Sequence, residues 1–169
     1  MAYQPKCRYV AGIDPDIDKS GLVIYDRDER RWLCLTIPVA ELREKILGFS
    51  ALDIEIIVEA GWLVGGFHHM AGMPANLRSR GVNAQLAYVG EACTRVGQNF
   101  GVGKTIVALL QAEGYEVKLV TPPKPPRRKP GEPKVKMKWD AEKFMHLTGL
   151  DYGHNEEIRD ACRTMYPFK

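Results

Sequence analysis

The chain has 169 residues, 45% hydrophobic and 27% charged, with a formal net charge of +3. That size and balance suit one ordinary globular domain that buries a core without disulfides or metal staples, and they exclude a disordered chain. No apolar run approaches the roughly 20 residues of a membrane span, no apolar signal segment opens the chain, and Cys7, Cys34, Cys93 and Cys162 lack CxxC or Cys/His spacing. The reading is therefore a cytosolic protein with four reduced, buried or half-buried thiols and no zinc.

Residues 7–14 (CRYVAGID) read as a strand ending at Asp14, followed by a polar turn, a second strand at 21–26 and a third at 31–37. Three β-rich runs joined by short turns predict an antiparallel meander. Val39, Leu42 and Ile46 predict a helix over 39–47, and 54–59 (IEIIVE) a strand ending at Glu59. A Gly-rich stretch, 60–82, cannot be regular throughout. Asn83 reads as the cap of a helix that runs towards Ala112, with a break near Gly97 or Gly101 and a stop at Gly114. A fifth strand at 115–120, a helix from about Trp139 to Leu147 and a last helix from Asn155 to about Tyr166 complete the order. A meander followed by crossover units predicts an α/β fold with a mixed five-stranded sheet flanked by helices, one domain over 1–169.

Charge is unevenly spread. Between Lys124 and Lys138 lie Arg127, Arg128, Lys129, Lys134 and Lys136 against the single acid Glu132, in a Pro-rich loop over about 122–138. The rest of the chain is net acidic. A basic segment on an acidic body suits a polyanion held near a separate acidic site.

The acids carry the chemistry. Asp14 and Glu59 both end apolar strands, and if those strands are parallel neighbours both emerge at the sheet edge where open α/β sheets bind ligands. Glu157 and Asp160 sit three apart and share a helix face. Taken singly, each fits a turn or a helix-dipole role. Taken jointly they predict four converging carboxylates. Two like charges about 4 Å apart repel by roughly 4 kcal/mol at an effective dielectric near 20, so the cluster calls for divalent cations. All-oxygen donors suit Mg²⁺ or Mn²⁺, and two such ions can drive phosphodiester hydrolysis.

Two motifs mislead. Gly103-Lys104-Thr105 lacks the Walker glycine, since Gln98 stands there, so no nucleotide cofactor is expected. Asp14, Asp16 and Asp18 imitate a calcium loop, but Lys19 and Tyr25 occupy the positions that need Gly and Glu. Asp16 and Asp18 remain candidates to support the site from behind, and His68-His69 fits an exposed pair in the Gly-rich stretch.

Gly12-Ile13-Asp14-Pro15, with Ser20-Gly21 opening the next strand, resembles the start of RuvC-type Holliday-junction resolvases. Ile57-Val58-Glu59 is similar to the family's second acidic site, and Glu157-Ile158-Arg159-Asp160-Ala161 to its C-terminal pair of acids. Asn83-Ala84 and Thr121-Pro122-Pro123-Lys124 also have counterparts, so the resemblance runs in order along nearly the whole chain. Asp16 departs from the family's usual Gly, and Glu157 from its usual Asp or His, leaving His154 as a reserve ligand. The long Pro-rich loop fits a phage- or prophage-type branch.

The resemblance implies a ribonuclease H-like fold and a homodimer that nicks four-way DNA junctions in pairs. It implies Asp14, Glu59, Glu157 and Asp160 as catalytic, metal-binding residues, with two Mg²⁺ or Mn²⁺ ions per site. The family's aromatic residue three positions after the second acid corresponds to Trp62, with Phe67 as a second candidate. Trp62 reads equally well as a cap on the core. Arg78, Arg80, Lys104, Lys124, Arg127, Arg128 and Lys129 are the expected phosphate contacts. The same site could serve other branched DNA or RNA hybrids, and a protein of another class could keep the fold to bind nucleic acid without cutting it.

Overall fold

The computed structural model describes residues 7–64, 73–123, 137–152 and 154–169. Phe67, His68, His69, Lys124, Arg127, Arg128 and Lys129 lie outside the described residues. Five strands form one sheet: β1 (Tyr9–Asp14), β2 (Ser20–Asp26), β3 (Arg31–Ile37), β4 (Ile54–Glu59) and β5 (Val117–Val120). Their order is β3-β2-β1-β4-β5. The first three are antiparallel, and β4 and β5 add in parallel beside β1. This is the expected meander followed by crossovers.

The helices are α1 (Val39–Leu47), α2 (Ala75–Arg78), α3 (Val82–Ala112), α4 (Ala141–Thr148) and α5 (Glu156–Met165). Strand alternation divides the core between the two faces of the sheet. Ala11, Ile13, Ile54, Ile56 and Val58 meet α1 and the last turns of α3 through Leu42, Ile46, Ile106 and Leu110. Val10, Val23 and Ile57 meet α5 and α4 through Ile158, Ala161, Met165 and Phe144 on the other face. Asp14 has the parity of Val10, and Glu59 that of Ile57, so both project towards α5.

Several boundaries differ from the sequence reading. Helix α3 is capped at Gly81 rather than Asn83 and continues unbroken through Gly97 and Gly101. A glycine lowers helix propensity by about 1 kcal/mol but does not forbid the conformation, and a β-carbon at either position would meet only open space. Gly114, at φ 89°, follows the helix as expected. Strand β5 starts two residues late because Tyr115 is drawn into the core, where its hydroxyl reaches the carbonyls of Ile46 and Phe49 at 3.1 and 2.8 Å. Asp140 caps α4 by accepting from Lys143 N, which delays that helix to Ala141. Cys162 is buried and Cys7 and Cys34 are half-buried, but Cys93 is exposed, because the first part of α3 extends away from the sheet. No helix among the described residues is long and apolar enough to cross a membrane.

Candidate active site

Parallel pairing of β1 with β4, Ile13 opposite Val58, sets the ends of the two strands side by side and with them Asp14 and Glu59. Helix α5 supplies the third acid, and two glycines let it come close. A β-carbon on Gly12 would stand 2.2 Å from the Ala161 carbonyl oxygen, and one on Gly21 2.2 Å from that of Glu157. Both strands thus pass directly beneath the α5 backbone. Asn155 starts α5 by accepting from Ile158 N at 3.1 Å. Glu156 and Glu157 then fall in the first turn, where the helix dipole favours negative charge.

Asp14, Pro15, Asp16, Glu59, Asn99, Lys138, Glu156, Glu157 and Asp160 line one open cleft of about 270 Å³. A smaller hollow continues it past Asp14 and Glu59 to Gly61, Trp62 and Phe100. Burial, then the negative charges of Glu59 and Asp160, push the Asp14 carboxyl up to about 8, against the opposing pull of Lys138 and Arg163.

Cations already answer two of the acids. Arg163 Nη2 donates to Glu59 Oε2 at 2.6 Å, and its Nη1 stands 3.5 Å from Asp160 Oδ1. Lys138 pairs with Asp160 Oδ2 at 3.1 Å and also with Glu156. The Thr164 hydroxyl lies 3.0 Å from Glu59 Oε2 and 2.9 Å from the Asp160 carbonyl, its one proton serving either. Asp160 is 5% exposed, and its Oδ1 accepts no hydrogen bond.

The expected convergence of four carboxylates is therefore qualified. The acids share a cleft, yet among the described residues no three are gathered tightly enough to hold a metal ion between them as they stand. Arg163 and Lys138 hold Glu59 and Asp160 instead. The donor chemistry fits a hard divalent cation all the same: the oxygens are carboxylate, Asp14 resists ionising beside its neighbours, and Asp160 Oδ1 is buried and accepts no hydrogen bond.

Glu157 lines the cleft, whereas His154, the reserve ligand, is not among its lining residues. The His154 ring packs edge-on to Phe144 and Tyr152, and burial lowers its pKa. Trp62 is half-buried at the cleft's end and lies against Gly103, where a β-carbon would fall 2.3 Å from its ring. That contact gives the glycine of the false Walker motif a packing role. Asp16 is tied by its own carboxylate, which accepts from Asp18 N and from Asn99 Nδ2, both at 3.0 Å. Asp18 is exposed, outside the cleft lining.

Lys104 is exposed on α3 one turn beyond Phe100. Arg78 and Arg80 lie before the start of α3, about 25 Å along that helix from Asn99 at 1.5 Å per residue, so they are not gathered with the acids. Lys138, Asn99, Phe100, Arg163 and Thr164 are site residues that the sequence reading missed. Only Lys138 carried a signal there, as the last residue of the basic segment.

A sheet in the order β3-β2-β1-β4-β5, antiparallel then parallel, with helices on both faces, is an α/β arrangement of the ribonuclease H-like fold. Among solved structures, the chain is similar to Thermus thermophilus RuvC in complex with a Holliday junction substrate, at 17% identity and a TM-score of 0.49, over 94% of this chain and 90% of that one. A second structure of Thermus thermophilus RuvC matches at 14% identity and a TM-score of 0.49, over 94% and 92%. No protein-family model and no curated protein matches the sequence.

Proposed function

We propose that this chain is a divalent-metal-dependent endonuclease acting on branched DNA, the four-way junction foremost. The observation that carries the reading is the meeting of Asp14, Glu59 and Asp160, from two strand ends and a helix, along one open cleft. Asp14, Glu59 and Asp160, with Glu157 beside them, would hold Mg²⁺ or Mn²⁺, which when bound supplies an activated water and charge stabilisation at the leaving oxygen. The chain's own groups orient the acids: Arg163 and Thr164 hold Glu59, and Asn99 fixes the turn behind Asp14 through Asp16 and Ile17 N. Trp62, at the end of the cleft, would offer its ring as a stacking surface for an unpaired base. The basic segment from Lys124 to Lys138 supplies phosphate affinity rather than sequence choice. The choice of the junction follows the motif resemblance. Asp14→Asn and Asp160→Asn, assayed on a four-way junction with Mg²⁺, should each lose nicking. Wild-type nicking in either variant would sink the assignment.

We also infer a homodimer formed through α3. Val82, Leu86, Val89, Cys93, Val96 and Phe100 follow one another in steps of four and three, the spacing of a helix–helix seam. Val82 and Leu86 are 69% and 61% exposed. A second copy along this stripe would cover them and bring two clefts to one junction.

A further inference from the structure

Asp16 lines the cleft with the other acids, but both of its carboxylate oxygens already face N–H donors. Oδ1 accepts from Asp18 N and Oδ2 from Asn99 Nδ2, each at 3.0 Å. The Asn99 amide is held from its other side, where its Oδ1 accepts from Ile17 N at 3.1 Å. The fully buried Ser20 closes the turn: its hydroxyl accepts from Asp16 N at 3.2 Å and donates to the Asp16 carbonyl at 3.3 Å.

These bonds have a fixed sense. A backbone N–H can only donate, so Ile17 N claims Asn99 Oδ1 and leaves Nδ2 to face Asp16. Asp18 N claims Asp16 Oδ1 in the same way. The contact between the two side chains therefore needs a donor at 99 and an acceptor at 16. It joins residues 83 apart in the chain: one in the turn that directly follows Asp14, the other on α3. The first buried residue of α3 is Gly103, where the helix lies against Trp62 and Pro15. Asn99 extends that hold outward from Pro15 to the rest of the turn.

We infer, resting on the nuclease reading above, that Asp16 and Asn99 form a polarity-matched latch through which α3 sets the position of Asp14, and that Asp16 is an anchor rather than a metal ligand. Both are positioning residues, since they act on the reaction through Asp14. The Asp14, Asp16 and Asp18 run that imitates a cation loop in the sequence serves here to hold a turn.

The test exchanges the two residues in the full chain. Asn99→Asp sets two carboxylates face to face. Asp16→Asn leaves one oxygen to accept from both Asp18 N and Asn99 Nδ2. The double variant Asp16→Asn/Asn99→Asp restores the contact reversed, with the amide at 16 donating to the carboxylate at 99, while Ile17 N and Asp18 N keep their acceptors. Nicking of a four-way junction with Mg²⁺, Mn²⁺ affinity by calorimetry and melting temperature are read on wild type and all three variants. Each single variant should lose about a hundredfold in kcat, the cost of misplacing a reacting group by an ångström, with KM little changed, and should bind Mn²⁺ more weakly. The double variant should recover most of both losses. A carboxylate needed at 16 as a metal ligand would give no such recovery. Single variants that nick at the wild-type rate, a double variant no better than the worse single, or a loss that the unfolded fraction accounts for overturns the latch and leaves the nuclease proposal standing. Should a single variant fail to fold, the double variant decides alone: nicking near the wild-type rate supports the latch, and lost nicking overturns it. If wild type binds Mn²⁺ but does not nick, the proposed function falls, and recovery of Mn²⁺ affinity in the double variant, or its absence, supports or overturns the latch. A wild type that neither binds Mn²⁺ nor nicks removes both.

Discussion

The backbone of Gly12 lies so close under Ala161 that a β-carbon there would stand 2.2 Å from the Ala161 carbonyl oxygen. This contact sets the height of α5 above β1, and so the height of Asp160 relative to Asp14. Gly12→Ala must push the helix off the strand. It should cost about 3 kcal/mol, the upper range for overpacking a core, and lower nicking further than the unfolded fraction accounts for. Denaturant unfolding and a junction assay on the same preparation read both effects.

The raised Asp14 carboxyl makes the metal-free protein sensitive to pH. Its value of about 8 in the fold stands well above the value near 4 of an unfolded carboxyl. The folded state therefore holds this proton more tightly, and stability is lost as pH rises from about 4 to about 8, then levels. In Asp14→Asn this decline should vanish, giving a higher melting temperature than wild type above pH 8 in chelator. Thermal melts across that range decide it; a wild type more stable than the variant at pH 9 without metal contradicts the assignment of strain to Asp14.

Adding Mg²⁺ or Mn²⁺ should reverse that strain. Ligand at about 100 times its dissociation constant stabilises a folded protein by about 2.7 kcal/mol, a rise of several degrees in melting temperature. Asp160→Asn should lose most of the rise, because it replaces the buried oxygen pair facing the cleft. Melts with and without metal make the comparison.

Trp62 is seated against Gly103 and opens on the cleft beside Phe100. Trp62→Ala should cost about 2 kcal/mol, less than a fully buried tryptophan because it is half-exposed. If its ring also receives a base, nicking should fall about tenfold at a temperature where the variant is fully folded, in line with the value of base stacking. Metal-induced stabilisation should not change. Loss of stability with full nicking would leave Trp62 a packing residue alone.

Leu86 stands in the exposed stripe of α3, 61% accessible. Leu86→Glu places a charge on the proposed seam and should turn a dimer into a monomer by light scattering, with the melting temperature of the monomer unit little altered. A wild-type chain that is monomeric at high micromolar concentration removes the dimer from the proposal.

Much of the sheet was legible because strand patterning is local. The short apolar runs 9–14 and 54–59 mark both strands, and the period of two along a strand then sets the face of Asp14 and Glu59, given that the strands pair in parallel. Helix α5 was legible in the same way, from Asn155 as its cap and from the apolar positions Ile158, Ala161, Cys162 and Met165. The start of α3 was not. Asn83 is a good capping residue, but the helix begins earlier at Gly81, and four glycines inside it, Gly90, Gly97, Gly101 and Gly103, did not end it.

The residue sequence alone thus determined that three acids would stand at strand ends and on a helix face, since those placements follow from periods of two and 3.6 residues. Only the tertiary structure decided which charges would answer them. Arg163 is 104 residues from Glu59 in the chain, and it reads by itself as a basic residue suited to the last turn of a helix. It becomes the partner of Glu59 only because Gly12 and Gly21 let α5 settle onto β1 and β2, and the same settling brings Asp160 within reach of Lys138. Long-range pairing of charges depends on the distance between packed elements, a quantity no local pattern of residues encodes.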